Sequence, residues 1–127
     1  MPVAAKICGL KTPETVAAAV EGGASLVGFN FYGRSPRCVD PATAKQLAAN
    51  VPAGVRKVGL LVDDSDARIA DILGACDLDL LQLHGHETPE RVAEVRARFG
   101  KPVIKVISVS DAADLDRAPA YESVETT

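Results

Sequence analysis

No apolar run in the 127 residues approaches the roughly 20 that a membrane-spanning helix needs, so no membrane partner is expected. The chain does not open on a charged segment followed by a long apolar stretch, so no secretory signal is expected either. Lysine and arginine form no block or stripe and the net charge is only -3, which argues against nucleic acid as a partner. Histidine is scarce. His84 and His86 alone are too few for most metal clusters, and neither a metal nor another cofactor is expected. The cysteines, Cys8, Cys38 and Cys76, are odd in number and far apart. They make no disulfide framework and suit a reducing cytoplasm.

What the chain does have is alternation. Nearly half of it is apolar (47%), enough for a buried core and against disorder. Its length is that of one domain, read as residues 1–127. The runs Val3–Leu10, Leu26–Phe31, Val58–Val62, Leu78–Leu83 and Val103–Val109 are short and nearly continuous in apolar character. That pattern predicts strands covered on both faces, as in a parallel sheet. Helical spacing lies between them: Val16 with Val20, then Ile69, Ile72 and Leu73, then Val92, Val95 and Phe99. A weak short helix is predicted near Ala112–Arg117.

The helix starts are marked by near copies, Thr12-Pro13-Glu14 and Thr88-Pro89-Glu90. Threonine can accept a backbone N–H as N-cap, proline fits the first helical position, and glutamate faces the positive helix end. Gly22-Gly23, Gly74 and Gly100 are expected to stop helices. Alternating β and α units with right-handed crossovers make neighbouring strands parallel. Two architectures use that order: an open doubly wound sheet and a (β/α)8 barrel. Length favours the first, since a barrel takes roughly 200 residues or more.

Either architecture puts ligands at the C-terminal ends of the strands. That rule selects Cys8 and Gly9; Asn30, Arg34, Ser35 and Arg37; Asp63 and Asp64; Gln82, His84 and His86; and Ser108 and Ser110. A lone cysteine on a strand is usually a small buried hydrophobe, and position alone favours that for Cys8. Its other reading is a thiolate base or nucleophile supported by the next helix N-terminus and by Lys6 or Arg37. Gly33-Arg34-Ser35-Pro36-Arg37 is a stiff polar loop whose arginines could fork onto a carboxylate or phosphate, or simply be solvated. Strand alternation puts Gln82 and His84 on one face, the inside of a barrel. Asp63-Asp64, with Ser65, is expected to cap the third helix.

Four motifs then stand together: "KICGL" at Lys6–Leu10, "GFNFYGRSPRCV" at Gly28–Val39, "KVGLLVD" at Lys57–Asp63 and "LLQLHGHE" at Leu80–Glu87. In order and spacing they resemble the phosphoribosylanthranilate isomerase family, from Lys6 to about Val109. The resemblance implies part of a (β/α)8 TIM barrel with about five strands. It implies an enzyme of tryptophan biosynthesis that carries N-(5-phosphoribosyl)anthranilate through an Amadori rearrangement. It assigns Cys8 as general base, Arg37 to the anthranilate end of the substrate and His84 to the site. Lys6 and Gln82 line the same pocket. The implied partner is a small phosphosugar–anthranilate substrate.

The family's general acid, an aspartate on the sixth strand, has no match in this sequence. Asp111, Asp114 and Asp116 do not fit it, and Ala118–Thr127 stands where that strand would begin. The Gly-rich phosphate loops are likewise unmatched. The expectation is a truncated barrel of little or no activity. Its open edges at the first and fifth strands invite self-association. Its inward faces, expected to include Leu26, Phe29, Leu60 and Leu81, would be short of cover. Two other readings are a non-catalytic half-barrel assembly domain and a flavodoxin-like binding domain. Cys8-Gly9 after the first strand counts against a phosphoacceptor of the latter kind.

Overall fold

A computed structural model describes residues 6–106. Its elements alternate strictly: β1 (Lys6–Cys8), α1 (Pro13–Glu21), β2 (Leu26–Asn30), α2 (Pro41–Ala48), β3 (Arg56–Leu61), α3 (Asp66–Ala75), β4 (Leu80–Leu83), α4 (Pro89–Phe99) and β5 (Val103–Lys105). The expected helix near Ala112–Arg117, the strand residues past Val106, and Ser108 and Ser110 lie outside the described residues. No described helix is long and apolar enough to cross a membrane.

The strands pair in parallel and in sequence order, β1-β2-β3-β4-β5. A doubly wound sheet reverses its winding to place helices on both sides. Here the order never reverses, so right-handed crossovers leave every helix on one side. The core agrees. Val16, Ala44, Leu47, Ile69, Ile72, Val92 and Val95 from the helices form one cluster with Val27, Phe29, Leu61, Leu81, Leu83 and Val103 from the strands. This is the winding of a barrel segment.

Register decides what lies on each face. Phe29 pairs with Gly59, Gly59 with Leu81, and Leu81 with Val103, a row against the helices. The opposite face carries Cys8, Gly28, Val58 and Leu80 in one row, and Asn30, Leu60, Gln82 and Ile104 in the next. Phe29 and Leu81 therefore do not share a face with Leu26 and Leu60. The expectation that grouped them as inward residues is corrected by the pleat, since odd and even positions alternate. Phe29 and Leu81 are fully covered by helices.

The helix ends follow from local chemistry. Thr12 and Thr88 cap α1 and α4, accepting from Thr15 N and Arg91 N at 3.2 and 3.1 Å. Pro13 and Pro89 occupy the first turns. Gly22 and Gly100 end these helices, Gly100 in the left-handed conformation with φ 64°. Gly74 instead lies inside α3, which runs on to Ala75 and stops at Cys76. Ser65 alone caps α3 through its hydroxyl, accepting from Arg68 N at 3.3 Å. Asp63 and Asp64 are thus left for other partners.

Gly59 tests the tightness of the helix-facing layer. A Cβ there would lie 2.6 Å from Leu78 Cδ1 and 3.3 Å from Phe31 Cε2. Gly59→Ala is expected to destabilise by about 1–3 kcal/mol, the usual cost of overpacking a filled core. Urea unfolding reads this directly, and an unchanged midpoint would contradict the packing described.

Candidate active site

The C-terminal end of β1 brings three of the expected residues together. Cys8 is half-buried and lies outside the apolar core cluster, so it is not a core hydrophobe. A Cβ on Gly28 would stand 3.0 Å from Cys8 Sγ and 3.3 Å from Lys6 Cε. Cys8 and Lys6 therefore share the face away from the helices, and the missing side chain at Gly28 leaves the space they use. Just after the thiol the chain turns at Gly9, with φ 79°, a conformation open mainly to glycine. Gly9 N and Leu10 N both donate to Gly28 O, at 3.1 and 3.4 Å.

Arg37 lies across that turn. Its Cδ, Cγ and Cβ would be 2.5, 3.3 and 3.4 Å from a Cβ on Gly9, so the arginine stem packs on bare backbone beside Cys8. The loop carrying it is held by polar side chains from its own sequence. Asn30 Oδ1 accepts from Tyr32 N at 2.8 Å, and Asn30 Nδ2 donates to Ser35 Oγ at 3.2 Å. Ser35 Oγ in turn accepts from Arg37 N at 3.1 Å. Lys11 Nζ donates to Pro36 O at 2.8 Å and ties the loop after β1 to the loop after β2. Arg34 is exposed.

Gln82 and His84 reach the same face from β4. Gln82 is 9% exposed, pairs in register with Leu60 and Ile104, and its amide has no hydrogen-bond partner among the described residues. His84 N donates to Leu61 O at 2.9 Å, which continues the β3–β4 ladder one step past the strand. The pleat thus puts His84 on the Gln82 side, with its side chain exposed. His86 does not join it. Its ring bonds Asp63 at 3.1 Å, and no described group of three or more His, Cys, Asp or Glu is placed to hold a metal.

Two functional candidates escaped sequence reasoning, Glu87 and Lys105. Their side chains are each 4% exposed and meet at 2.8 Å. Lys105 Nζ also donates to Gly85 O at 2.8 Å, while the Glu87 oxygens accept from Gly85 N and Asp63 N, both at 2.9 Å. The available signal was a lysine inside "VIKVI", because a charge within an apolar strand must find a partner.

The aspartates after β3 titrate in opposite senses. Burial nudges Asp63 upward, but hydrogen bonds from the His86 ring and backbone outweigh it and hold the carboxyl below its ordinary value. Burial pushes Asp64 up, and the nearby Arg68 offsets this only in part. Asp63 also sits in the left-handed region at φ 49°.

Two outcomes follow from this geometry. Gly9→Ala forces a strained φ and drives a methyl into Arg37, so it is expected to cost about 1–3 kcal/mol. A crystal structure of that variant should show Arg37 displaced, and an unmoved arginine would refute the contact. A carboxylate held low when folded stabilises above its unfolded pKa of about 3.9, and that contribution is lost as pH falls through the folded value. Asp63→Asn is therefore expected to lower the melting temperature near pH 7, with the gap to the parent closing below about pH 4. A gap that stays constant across that range would remove the linkage.

The chain is similar to phosphoribosylanthranilate isomerases in sequence and in fold. The family model for N-(5'-phosphoribosyl)anthranilate (PRA) isomerase matches residues 5–127. The chain is 58% identical over 122 residues to the N-(5'-phosphoribosyl)anthranilate isomerase of Rhodospirillum centenum, covering 96% of this chain and 57% of that protein. It is 52% identical over 124 residues to that of Paramagnetospirillum magneticum, covering 98% and 58%. Among solved structures, it is similar to phosphoribosyl anthranilate isomerase from Thermotoga maritima, with TM-score 0.90 and 35% identity over 96% of this chain and 58% of that one. It is equally similar, at TM-score 0.90 and 35% identity, to a phosphoribosyl anthranilate isomerase in complex with reduced 1-(o-carboxyphenylamino)-1-deoxyribulose 5-phosphate, over 96% of this chain and 62% of that one. The chain spans less than two thirds of the length of these relatives, 57% and 58% of the two curated ones. Its five parallel strands and the four helices between them are those of part of a (β/α)8 barrel, and the chain belongs to the N-(5'-phosphoribosyl)anthranilate isomerase family.

Proposed function

We propose that residues 1–127, as one partial barrel domain, carry the proton-abstracting and carboxylate-recognising side of an N-(5'-phosphoribosyl)anthranilate isomerase site. The reaction belongs to tryptophan biosynthesis, in the cytoplasm. The observation that carries the reading is the stacking of Arg37 on Gly9, directly beside a Cys8 thiol kept out of the apolar core.

The chemistry suits these residue types. Protonation of the furanose oxygen opens the ring and leaves a C1–nitrogen double bond. The Cys8 thiolate takes the proton from C2. The electron pair of that C–H bond forms C1=C2, and the C1–nitrogen π pair returns to nitrogen. The resulting enolamine loses its O–H proton, gains a proton at C1 and becomes the 2-ketone. C2 is oxidised as C1 is reduced, so the rearrangement balances within the substrate and calls for no cofactor.

Lys6 lies on the same face as the thiol, beside the space that Gly28 leaves open. Arg37 offers a planar fork to the anthranilate carboxylate, which a lysine could not match. The Gln82 amide, without a hydrogen-bond partner among the described residues, can bond the substrate, and His84 stands at the same rim. Among the described residues we assign no acid for the ring oxygen and no cradle for the phosphate. The 127-residue chain assayed alone is therefore proposed to turn over slowly or not at all. One positioned proton-transfer group contributes roughly 10²- to 10⁴-fold.

A related Thermotoga maritima enzyme is described as dimeric. Self-association of this chain is proposed through the outer edges of β1 and β5, which pair with no other strand among the described residues.

Growth of a tryptophan auxotroph lacking this isomerase tests the reading. The chain is expected to restore growth when co-expressed with a fragment supplying the remaining βα units of a relative. Cys8→Ala should abolish it, with a loss of roughly 10²- to 10⁴-fold in turnover of the purified pair. Arg37→Lys should mainly raise KM. Undiminished turnover by Cys8→Ala would end the proposed role of the thiol.

A further inference from the structure

We infer that the buried Glu87–Lys105 pair is a positioning device that fixes the loop after β4, and through it the backbone of His84, at the rim of the site. The catalytic consequence rests on the isomerase reading above. The clamp itself does not.

The pair takes up both polar groups of one peptide residue. Gly85 N donates to Glu87 Oε1 at 2.9 Å, and Gly85 O accepts from Lys105 Nζ at 2.8 Å. Lys105 and Glu87 then close on each other at 2.8 Å, each only 4% exposed. The second Glu87 oxygen accepts from Asp63 N at 2.9 Å and draws in the loop after β3. Asp63 answers across the gap, accepting from His86 N at 2.7 Å. Its carboxylate fills the space where a Gly85 side chain would be, 2.6–2.7 Å from that position. Loops after β3 and β4 are thus tied to the end of β5 by charge-assisted bonds.

His84 sits between two fixed points. On one side its N–H is held by Leu61 O at 2.9 Å. On the other lies the clamped Gly85. The His84 side chain itself is exposed and has no hydrogen-bond partner among the described residues, so backbone placement decides where the ring can reach. A carboxylate and an ammonium this buried are costly to part, because removing either takes from the other a close, buried opposite charge. Neither side chain needs to touch substrate for the loop to matter. A displacement of about 1 Å at a binding group can cost roughly a hundredfold in rate.

The experiment compares the 127-residue chain with Lys105→Met, Lys105→Arg and Glu87→Gln by amide hydrogen exchange. Lys105→Met and Glu87→Gln are expected to speed exchange at Gly85 and His86 at least tenfold, with the Phe29 and Leu61 amides still protected. Lys105→Arg should recover part of the protection. Unchanged Gly85 and His86 exchange in a folded Lys105→Met or Glu87→Gln protein overturns the inference. If Lys105→Met does not fold, the near-isosteric Glu87→Gln carries the test.

Kinetics of the same variants, paired with the complementing fragment, then separate the two claims. Faster loop exchange with a fall of tenfold or more in kcat/KM, partly rescued by Lys105→Arg, supports positioning for catalysis. Faster loop exchange with unaltered kcat and KM refutes the catalytic consequence while the isomerase reading stands. An inactive parent pair with faster exchange in the variants refutes the isomerase reading and leaves the clamp in place.

Discussion

The pleat of a parallel sheet is the constraint on which this molecule turns. Side chains alternate with a period of two, so one register fixes both the core and the site. Seating Phe29 and Leu81 against the helices obliges Cys8, Gly28, Gln82 and His84 to the other face. A slip of one residue would send the thiol among aliphatic helices and turn phenylalanine to the opposite face. The hydrophobic free energy of the helix-facing layer therefore selects which residues gather on the other face.

Within that frame, absent side chains are as formative as present ones. Gly28 leaves room beside Cys8 and Lys6, and Gly9 lets an arginine from the next loop lie flat on the backbone. The polar side chains around them are mostly committed to holding loops. Asn30 and Ser35 shape the turn that delivers Arg37, and Lys11 bridges two loops through Pro36 O. Among the described residues, Gln82 and the His84 ring carry no such duty.

Much of this was legible in the residues. Continuous apolar runs marked strands, and the copied Thr-Pro-Glu marked two helix starts that the structure caps as expected. Other features resisted reading. Asp63-Asp64 and Ser65 together looked like the cap of α3; Ser65 does cap it, whereas Asp63 bonds His86, distant in sequence. Gly74 looked like a stop, but α3 runs one residue further, to Ala75, and closes with Cys76 N donating to Ile72 O at 2.9 Å. Apolar character alone carries no parity, so it does not separate Phe29 and Leu81 from Leu26 and Leu60, which the register puts on opposite faces.

The sequence by itself determined the order of βα units, the family motifs and the residue types available at the strand ends. Those are local properties, set by short-range periodicity, capping chemistry and turn residues. Tertiary structure alone decided which face each strand presents, that Arg37 crosses Gly9, and that Lys105 closes on Glu87 eighteen residues away. Such contacts depend on strand register and loop path, and these are fixed only when the whole sheet packs on its helices.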